Sequence, residues 1–486
     1  MLPAPVVRTL LLGLAALVAG CAPGDSPPFR LALAECRLPG VETPARCGTY
    51  EVFEDRASGK GRRIGIKVAV LAAKRRSTEP DPIVVLAGGP GQGAIALAPQ
   101  VGPLFARLAR TRDIVLVDQR GTGGSNALAC EGEEGETLQS VFEDAMPEKL
   151  VRDCLEHLDG DPRHYATPTA MADLDEVLGA LGYAKVNLWG GSYGTRAALE
   201  FLRRFPGRVR TVTLDGVAPA GMKLPLSFVA DGEAAFEKLL AECEREEGCG
   251  RAYPQLRAQA RALRERLAAQ PARVEIADPV TGEGLGVKVT QNVLLSGIFR
   301  PLYSPELSSL LPYAIDRAAV GDFNALLAQN LEFSGELAEN LAVGMHLSVV
   351  CSEDVPHIGA ADLAKATRAF FGRALVDDFL RACAIWPRAQ LPADYAEPVK
   401  SDLPVLILSG GIDPATPPRH GDRVAATLSR SRHFVAPNLS HGVSSHGCAP
   451  RLIESFVNAG SADSLDGSCL ARLPRPLFLL PAGSRP

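Results

Sequence analysis

The chain has 486 residues, 46% of them apolar and 22% charged, with 51 basic against 56 acidic side chains. That length supports a large core and more than one folding unit, and a formal charge of −5 without a long Lys/Arg run removes the attraction that drives nucleic-acid binding. Aromatics at 6%, with Trp189 and Trp386 the only tryptophans, leave little for a base-stacking platform.

At the N-terminus, Arg8 followed by the apolar run TLLLGLAA (9–16) reads as a secretory signal over residues 1–20, too short to span a membrane as a mature helix. No other apolar run approaches the roughly 18 residues a span requires. The signal closes on Val18-Ala19-Gly20-Cys21, which resembles the cleavage box of bacterial lipoproteins, and Ala22 resembles the following residue of those sent to the outer membrane. The resemblance implies a lipidated Cys21 and residues 21–34 as a tether. It also implies an exported cell-envelope protein, on the periplasmic face of the outer membrane, that meets the membrane only through its lipid. Export permits disulfides. Sequence neighbours suggest Cys36 with Cys47, Cys130 with Cys154, Cys243 with Cys249, Cys351 with Cys383, and Cys448 with Cys469, although spacing leaves other connectivities open. Neither CxxC nor HExxH occurs, so no metal site is expected.

Residues 48–74 alternate in two β-like runs, TYEVFED and RIGIKVAVLAA, around the glycine-containing turn ASGKGRR, which predicts an antiparallel hairpin. The pattern then changes to short apolar runs bounded by Gly or Asp: IVVLAGG (83–89), DIVLVDQ (113–119), KVNLWGG (185–191), RTVTLDG (210–216) and PVLILSGG (404–411). Such runs predict parallel strands covered on both faces. Helical stretches separate them, MADLDEVLGALGY (171–183) carrying Leu174, Val177, Leu178 and Leu181 on one stripe. Between about Val217 and Pro398 the strand rhythm gives way to helices, interrupted by one hairpin around Thr281-Gly282. The simplest account is a parallel-sheet core in two parts, 35–217 and 399–486, split by a mostly helical cap over 218–398.

The chemistry lies where these strands end. Gly190-Gly191-Ser192-Tyr193-Gly194 is a G-x-S-x-G between a strand and a helix, the setting of a nucleophile elbow. Glycines two residues either side of the serine let the strained turn close. In this architecture the acid and then the base follow in sequence. Asp413 comes directly after PVLILSGGI, and His441 follows the strand-like RHFVAPNLS. His446 is the rival base, disfavoured because His441 lies nearer the strand end and adjoins Gly442. Gly88-Gly89-Pro90-Gly91 after IVVLA supplies an oxyanion loop, so the backbone N–H groups of Gly89 and Tyr193 form the expected oxyanion pair. A phosphate loop is disfavoured, since no GxxxxGK[ST] follows and Pro90 lacks an N–H.

Together AGGPGQG, VDQRGTGGS (117–125), AMADLDEVLGALGYAKVNLWGGSYGTR (170–196), VLILSGGIDPATPP and SHG resemble the α/β-hydrolase serine peptidases related to proline iminopeptidase and the tripeptidyl aminopeptidases. CSEDV, CAIWP and the paired cysteines resemble the exported branch. The sequence departs at Ala87, where proline iminopeptidases carry His, which removes strict proline specificity from the expectation. The resemblance implies an α/β-hydrolase fold with a large inserted helical cap, no cofactor, and short peptides with a free N-terminus as substrates. It also implies acidic cap side chains that hold the substrate ammonium, for which Glu353 and Asp354 are the candidates. Asp118 and Arg120 read as a structural ion pair bracing the oxyanion loop, and Thr195 and Arg196 as helix-start packing. Ser192 would attack the acyl carbon, His441 would carry the proton, and Asp413 would orient His441. Two further readings remain: a carboxylesterase with the same triad, and a non-catalytic envelope binding protein.

Overall fold

The β-branched runs of the sequence assemble into one nine-stranded sheet in the order β1-β2-β3-β5-β4-β6-β7-β10-β11. The structure, a computed structural model, describes residues 31–75, 78–130, 147–277, 284–338 and 341–483, with Met1 and Gly282. The signal segment, Cys21 and the first part of the tether therefore lie outside the described residues.

The strands are β1 (Ala34–Cys36), β2 (Ala45–Phe53), β3 (Arg63–Leu71), β4 (Ile83–Leu86), β5 (Ile114–Val117), β6 (Val186–Gly191), β7 (Val209–Asp215), β10 (Val405–Gly410) and β11 (Ser431–Ala436). β1 to β3 form the antiparallel edge, β3 joins β5 antiparallel, and every pair from β5 through β11 is parallel. β1 has no counterpart in the sequence reading, because its three residues, Ala-Glu-Cys, are too few to alternate.

All four residues of β4 and of β5 are buried, as expected when helices cover both faces of a parallel sheet. Val84 and Leu86 pack with α1 (Thr167–Leu181) and α2 (Tyr193–Arg204) on one side. Ile83 and Val85 belong to the core on the other side, with Leu452, Ile453 and Phe456 of the helix Ala449–Ala459.

Between β7 and β10 lie α3 (Leu226–Arg245), α4 (Gln291–Phe299), α5 (Val343–Glu353) and α6 (Ala374–Ile385), among other helices. The expected hairpin appears as β8 (Ala272–Ala277) and β9 (Gly284–Val289), paired with each other and separate from the main sheet. This region has its own core, which includes Phe236, Leu239, Leu294, Ile298 and Ile315. A smaller cluster joins it to the sheet layer through Leu347, Val350, Phe379 and Trp386 with Val151 and Ala218. Disulfides link Cys36–Cys47, Cys130–Cys154, Cys243–Cys249, Cys351–Cys383 and Cys448–Cys469, the fourth tying α5 to α6. After β10 comes α7 (Pro418–Ala425). Among the described residues no helix is long and apolar enough to cross a membrane.

Candidate active site

The sharpest backbone feature lies between β6 and α2. Ser192 has φ 54° and ψ −125°, in the left-handed half of conformational space that L-residues rarely enter. The turn closes only because its neighbours lack side chains: a Cβ on Gly190 would lie 2.3 Å from the Gly194 carbonyl oxygen, and one on Gly194 would lie 2.0 Å from that of Leu86. Ser192 N–H donates to the Asp215 carbonyl (2.9 Å), and the Thr195 hydroxyl donates to the Ser192 carbonyl (2.6 Å). The strain is thus held by β7 and by the first turn of α2.

Asp413 and His441 follow β10 and β11, neighbouring strands of the sheet. His441 Nδ1 is 2.9 Å from Asp413 Oδ2. A carboxylate only accepts, so Nδ1 carries the proton and Nε2 is left as the base. Asp413 is buried and saturated: its other oxygen accepts the N–H groups of Ala415 and Thr416, each at 2.8 Å, and the Thr416 hydroxyl donates to Oδ2 at 2.8 Å. Burial alone would raise the Asp413 carboxyl, but the facing imidazole and these hydrogen bonds hold it below its ordinary value. Burial likewise disfavours the imidazolium of His441, yet Asp413, by charge and hydrogen bond, and then Asp215 outweigh it, so His441 sits above its ordinary value. Among the described residues His446 faces no carboxylate; its ring contacts the Ser445 hydroxyl.

Asp215 is a site residue that the sequence reading missed. Its buried carboxylate accepts the N–H groups of Val443 (2.8 Å) and Ser444 (2.7 Å), which anchors the loop carrying His441 to the end of β7. The only signal was its place at the end of RTVTLDG, one strand away from the serine.

The oxyanion loop turns at Gly89, whose φ of +105° suits glycine and where a Cβ would meet Gly91 N at 2.7 Å. Neither Gly89 N–H nor Tyr193 N–H donates to another protein group among the described residues. Asp118 braces the segment behind this loop by accepting the N–H groups of Ile95 and Gly124, both at 2.9 Å. It does not pair with Arg120, a correction to the expected ion pair. Arg120 instead crosses to Asp173 (2.6 and 2.9 Å) and to the Glu54 carbonyl (2.7 Å): the oxygens of Asp118 are taken by backbone N–H groups, and a fully buried guanidinium needs a carboxylate elsewhere.

A second correction concerns Glu353 and Asp354, which do not line the cavity that holds Ser192. Both are buried at the end of α5. Glu353 accepts from Thr167 N–H (2.8 Å), the Thr167 hydroxyl (3.0 Å), the Tyr395 hydroxyl and Arg196 Nη1 (3.3 Å). Asp354 takes Arg196 at 2.8 and 2.9 Å. A buried guanidinium needs carboxylate partners, and stripping one from such a set costs about 3–5 kcal/mol. The pair therefore neutralises Arg196 through its two terminal nitrogens, its buried Nε finding no partner among the described residues, and locks the cap to α1 and α2. Arg196 has more than the packing role read from sequence, and Thr195 caps the elbow.

Ser192, His441 and Gly89 line a cavity of about 410 Å³ beneath the cap, whose other walls include Phe228, Phe299, Tyr303, Phe371 and Leu375. Its polar lining includes Asn292, Arg300 and Asp378, and Asp378 is the one carboxylate among the described lining residues. Asp378 lies on α6 and pairs with Arg381. No group of His, Cys, Asp and Glu suited to a metal ion occurs among the described residues.

Residues 81–249 match the family described as alpha/beta hydrolase fold, and residues 368–469 match the TAP-like protein family. The chain is 24% identical over 489 residues to serine protease Hip1 of Mycobacterium tuberculosis, covering 92% of this chain and 91% of that protein. It is 29% identical over 212 residues to tripeptidyl aminopeptidase of Streptomyces lividans, covering 40% and 39%. Carboxylesterase B of Mycobacterium tuberculosis is 26% identical over 423 residues, covering 79% and 78%.

Proposed function

From its membership of the TAP-like α/β-hydrolase family, to which this chain belongs, we propose an exported serine aminopeptidase that removes N-terminal residues from short peptides. The observation that carries the reading is the cavity under the cap: Ser192 and His441 line it together with Asp378, the one carboxylate among its described lining residues, amid aromatic walls. A substrate ammonium taken into such an apolar space needs a negative partner, and Asp378 replaces Glu353 and Asp354 in that role. Ser192 Oγ attacks the acyl carbon as His441 Nε2 takes its proton. The oxyanion is held by Gly89 and Tyr193 N–H, the leaving amine receives the proton, and water releases the acyl group.

Aminoacyl and tripeptidyl arylamides, each with free or acetylated amino ends, tested beside short acyl esters, decide between this reading and a carboxylesterase. The second reading draws on the apolar lining and on the likeness to Carboxylesterase B. The expected outcome is that acetylation abolishes turnover and that Asp378→Asn raises KM for the free-amine substrates. Equal turnover of acetylated substrates, or reaction of esters alone, overturns the peptidase. A fluorophosphonate probe that fails to label Ser192 would favour a binding protein. Export is supported by the five disulfides. Lipid attachment at Cys21 belongs to the same proposal and is tested by the intact mass of the membrane-extracted protein.

A further inference from the structure

Ser192 and His441 also line a second cavity, of about 260 Å³, bounded by other parts of the fold. Its walls come from Leu97, Val101 and Leu104 after the oxyanion loop, from Trp189 of β6, and from the loop that follows His441. Among the described lining residues the two cavities share Gln92, Ser192 and His441 alone. We propose that this second cavity is the leaving-group site, and that it selects peptides with an apolar side chain immediately after the scissile bond. The assignment rests on the acyl-transfer reading above.

The geometry of acyl transfer requires two such spaces. With the acyl carbon at Ser192 Oγ and its oxygen on the Gly89 and Tyr193 N–H groups, the acyl part and the leaving nitrogen extend apart. Each needs room. Each cavity has a carboxylate in its lining, but both oxygens of Asp215 in the second are taken by Val443 and Ser444 N–H, so Asp378 in the cap cavity is the one suited to an N-terminal ammonium and the acyl part belongs there. The leaving nitrogen must be within reach of His441, which returns its proton, and His441 is on the wall of both spaces.

The lining indicates what the leaving group carries. Leu97, Val101, Leu104 and the indole of Trp189 offer carbon, and the indole N–H is committed to the Ser444 hydroxyl at 3.0 Å. That wall is fixed in advance, since Asp215 holds Val443 and Ser444 by their N–H groups and Phe105 packs edge-on against Trp189 at 5.9 Å. Gln100 and Ser445, both exposed, stand at the rim, where peptide amides would need partners. The volume far exceeds the roughly 30 Å³ of one water, so a side chain can occupy it.

The test holds the acyl unit constant, as any unit the enzyme accepts, and compares leucine-amide with glycine-amide as the leaving group. In the wild type kcat/KM should favour leucine-amide by about tenfold or more, the usual reward for filling an apolar pocket. Leu104→Trp should bring that ratio close to parity. A second measurement needs no variant. The acyl-enzyme ester on Ser192 can be attacked by an added amine: the new C–N bond forms, the Ser192 Oγ–C bond breaks, and the amine proton passes through His441 to Ser192 Oγ. Leucine-amide should then capture more acyl-enzyme than glycine-amide at equal free-base concentration, read as product by mass spectrometry. Equal capture, or a wild-type ratio near one, overturns the proposal, as does a Leu104→Trp change in acyl preference at a constant leaving group. These ratios are independent of whether acetylated amino ends are tolerated, so the aminopeptidase reading can fail while the leaving-group site stands, and the reverse.

Discussion

Ser409, His433 and Asp422 form a second hydrogen-bonded Ser-His-Asp chain, in the same C-terminal part of the sheet that carries Asp413 and His441. His433 Nε2 lies 2.9 Å from the Ser409 hydroxyl, and Nδ1 lies 2.9 Å from Asp422 Oδ1, the same separation as between His441 and Asp413. The two sets differ in their surroundings. Ser409 is fully buried inside β10, paired with Val435 of β11, and α7 closes over it at Gly421, where a Cβ would meet the His433 ring at 2.7 Å. Ser192 stands at the end of β6 in a left-handed backbone, at the junction of two cavities and beside two uncommitted N–H groups. Asp413 is buried and saturated, whereas the side chain of Asp422 is 71% exposed. The comparison teaches that the three residue types are not what makes a nucleophile. The elbow, the oxyanion donors and a space for substrate make it.

Substitutions in parallel at the two serines would break that conclusion most directly. Ser192→Ala should cut kcat by about six orders of magnitude, as removal of a triad nucleophile does. Ser409→Ala should leave turnover within about twofold while costing about 1 kcal/mol of stability, the net worth of one hydrogen bond. Steady-state kinetics and thermal melts read both. If Ser409→Ala abolished turnover in a protein with an unchanged melting temperature, the distinction between the two sets would be wrong. Next in size, Asp413→Asn should lower kcat by about 10⁴, because an amide facing Nδ1 favours the wrong tautomer. Asp422→Asn, on an exposed group, should leave kcat within about twofold.

The sequence carried the elbow, Asp413 and His441 because each is local: a strand signature followed by a turn whose chemistry is spelled out in adjacent residues. The parallel strands were legible for the same reason, as uninterrupted apolar runs such as IVVL and IVLV. What could not be read was pairing across long separations. Arg120 finds Asp173 rather than Asp118, and Arg196 finds Glu353 and Asp354 more than 150 residues away, at separations of 157 and 158. An acidic pair in a cap looks the same in sequence whether it faces a substrate ammonium or a buried guanidinium. Asp378 escaped notice because nothing in ALVDDFLRACAI separates it from Asp377 until α6 is placed over the cavity.

A smaller effect is expected at Asp215. It touches no reacting atom in the proposed mechanism, but both of its oxygens hold the N–H groups two and three residues beyond His441. Asp215→Ala frees that loop, and misplacing a base by about 1 Å costs roughly a hundredfold. The loss should fall mainly on kcat. Fluorophosphonate labelling of Ser192 should slow in parallel, since the same base activates the serine toward the probe.

The smallest effect is a displacement along the pH axis, and its sign follows from which form of His441 is active. The base must be neutral to take the Ser192 proton, so turnover is lost as pH falls through the His441 value. Burial lowers that value, but Asp413 and then Asp215 raise it by more, so the net position is above the ordinary imidazole. The acid limb of kcat/KM should therefore lie above pH about 6.5. Asp215→Asn removes one of the raising charges, keeps only one of the two acceptors that hold the loop, and should move the limb to lower pH beside any loss of kcat. Asp422→Asn, whose carboxylate faces His433 and not His441, should leave the limb where it is. A limb that shifted equally in both variants would mean that general surface charge, and not the Asp215 carboxylate beside the histidine loop, sets the titration of the base.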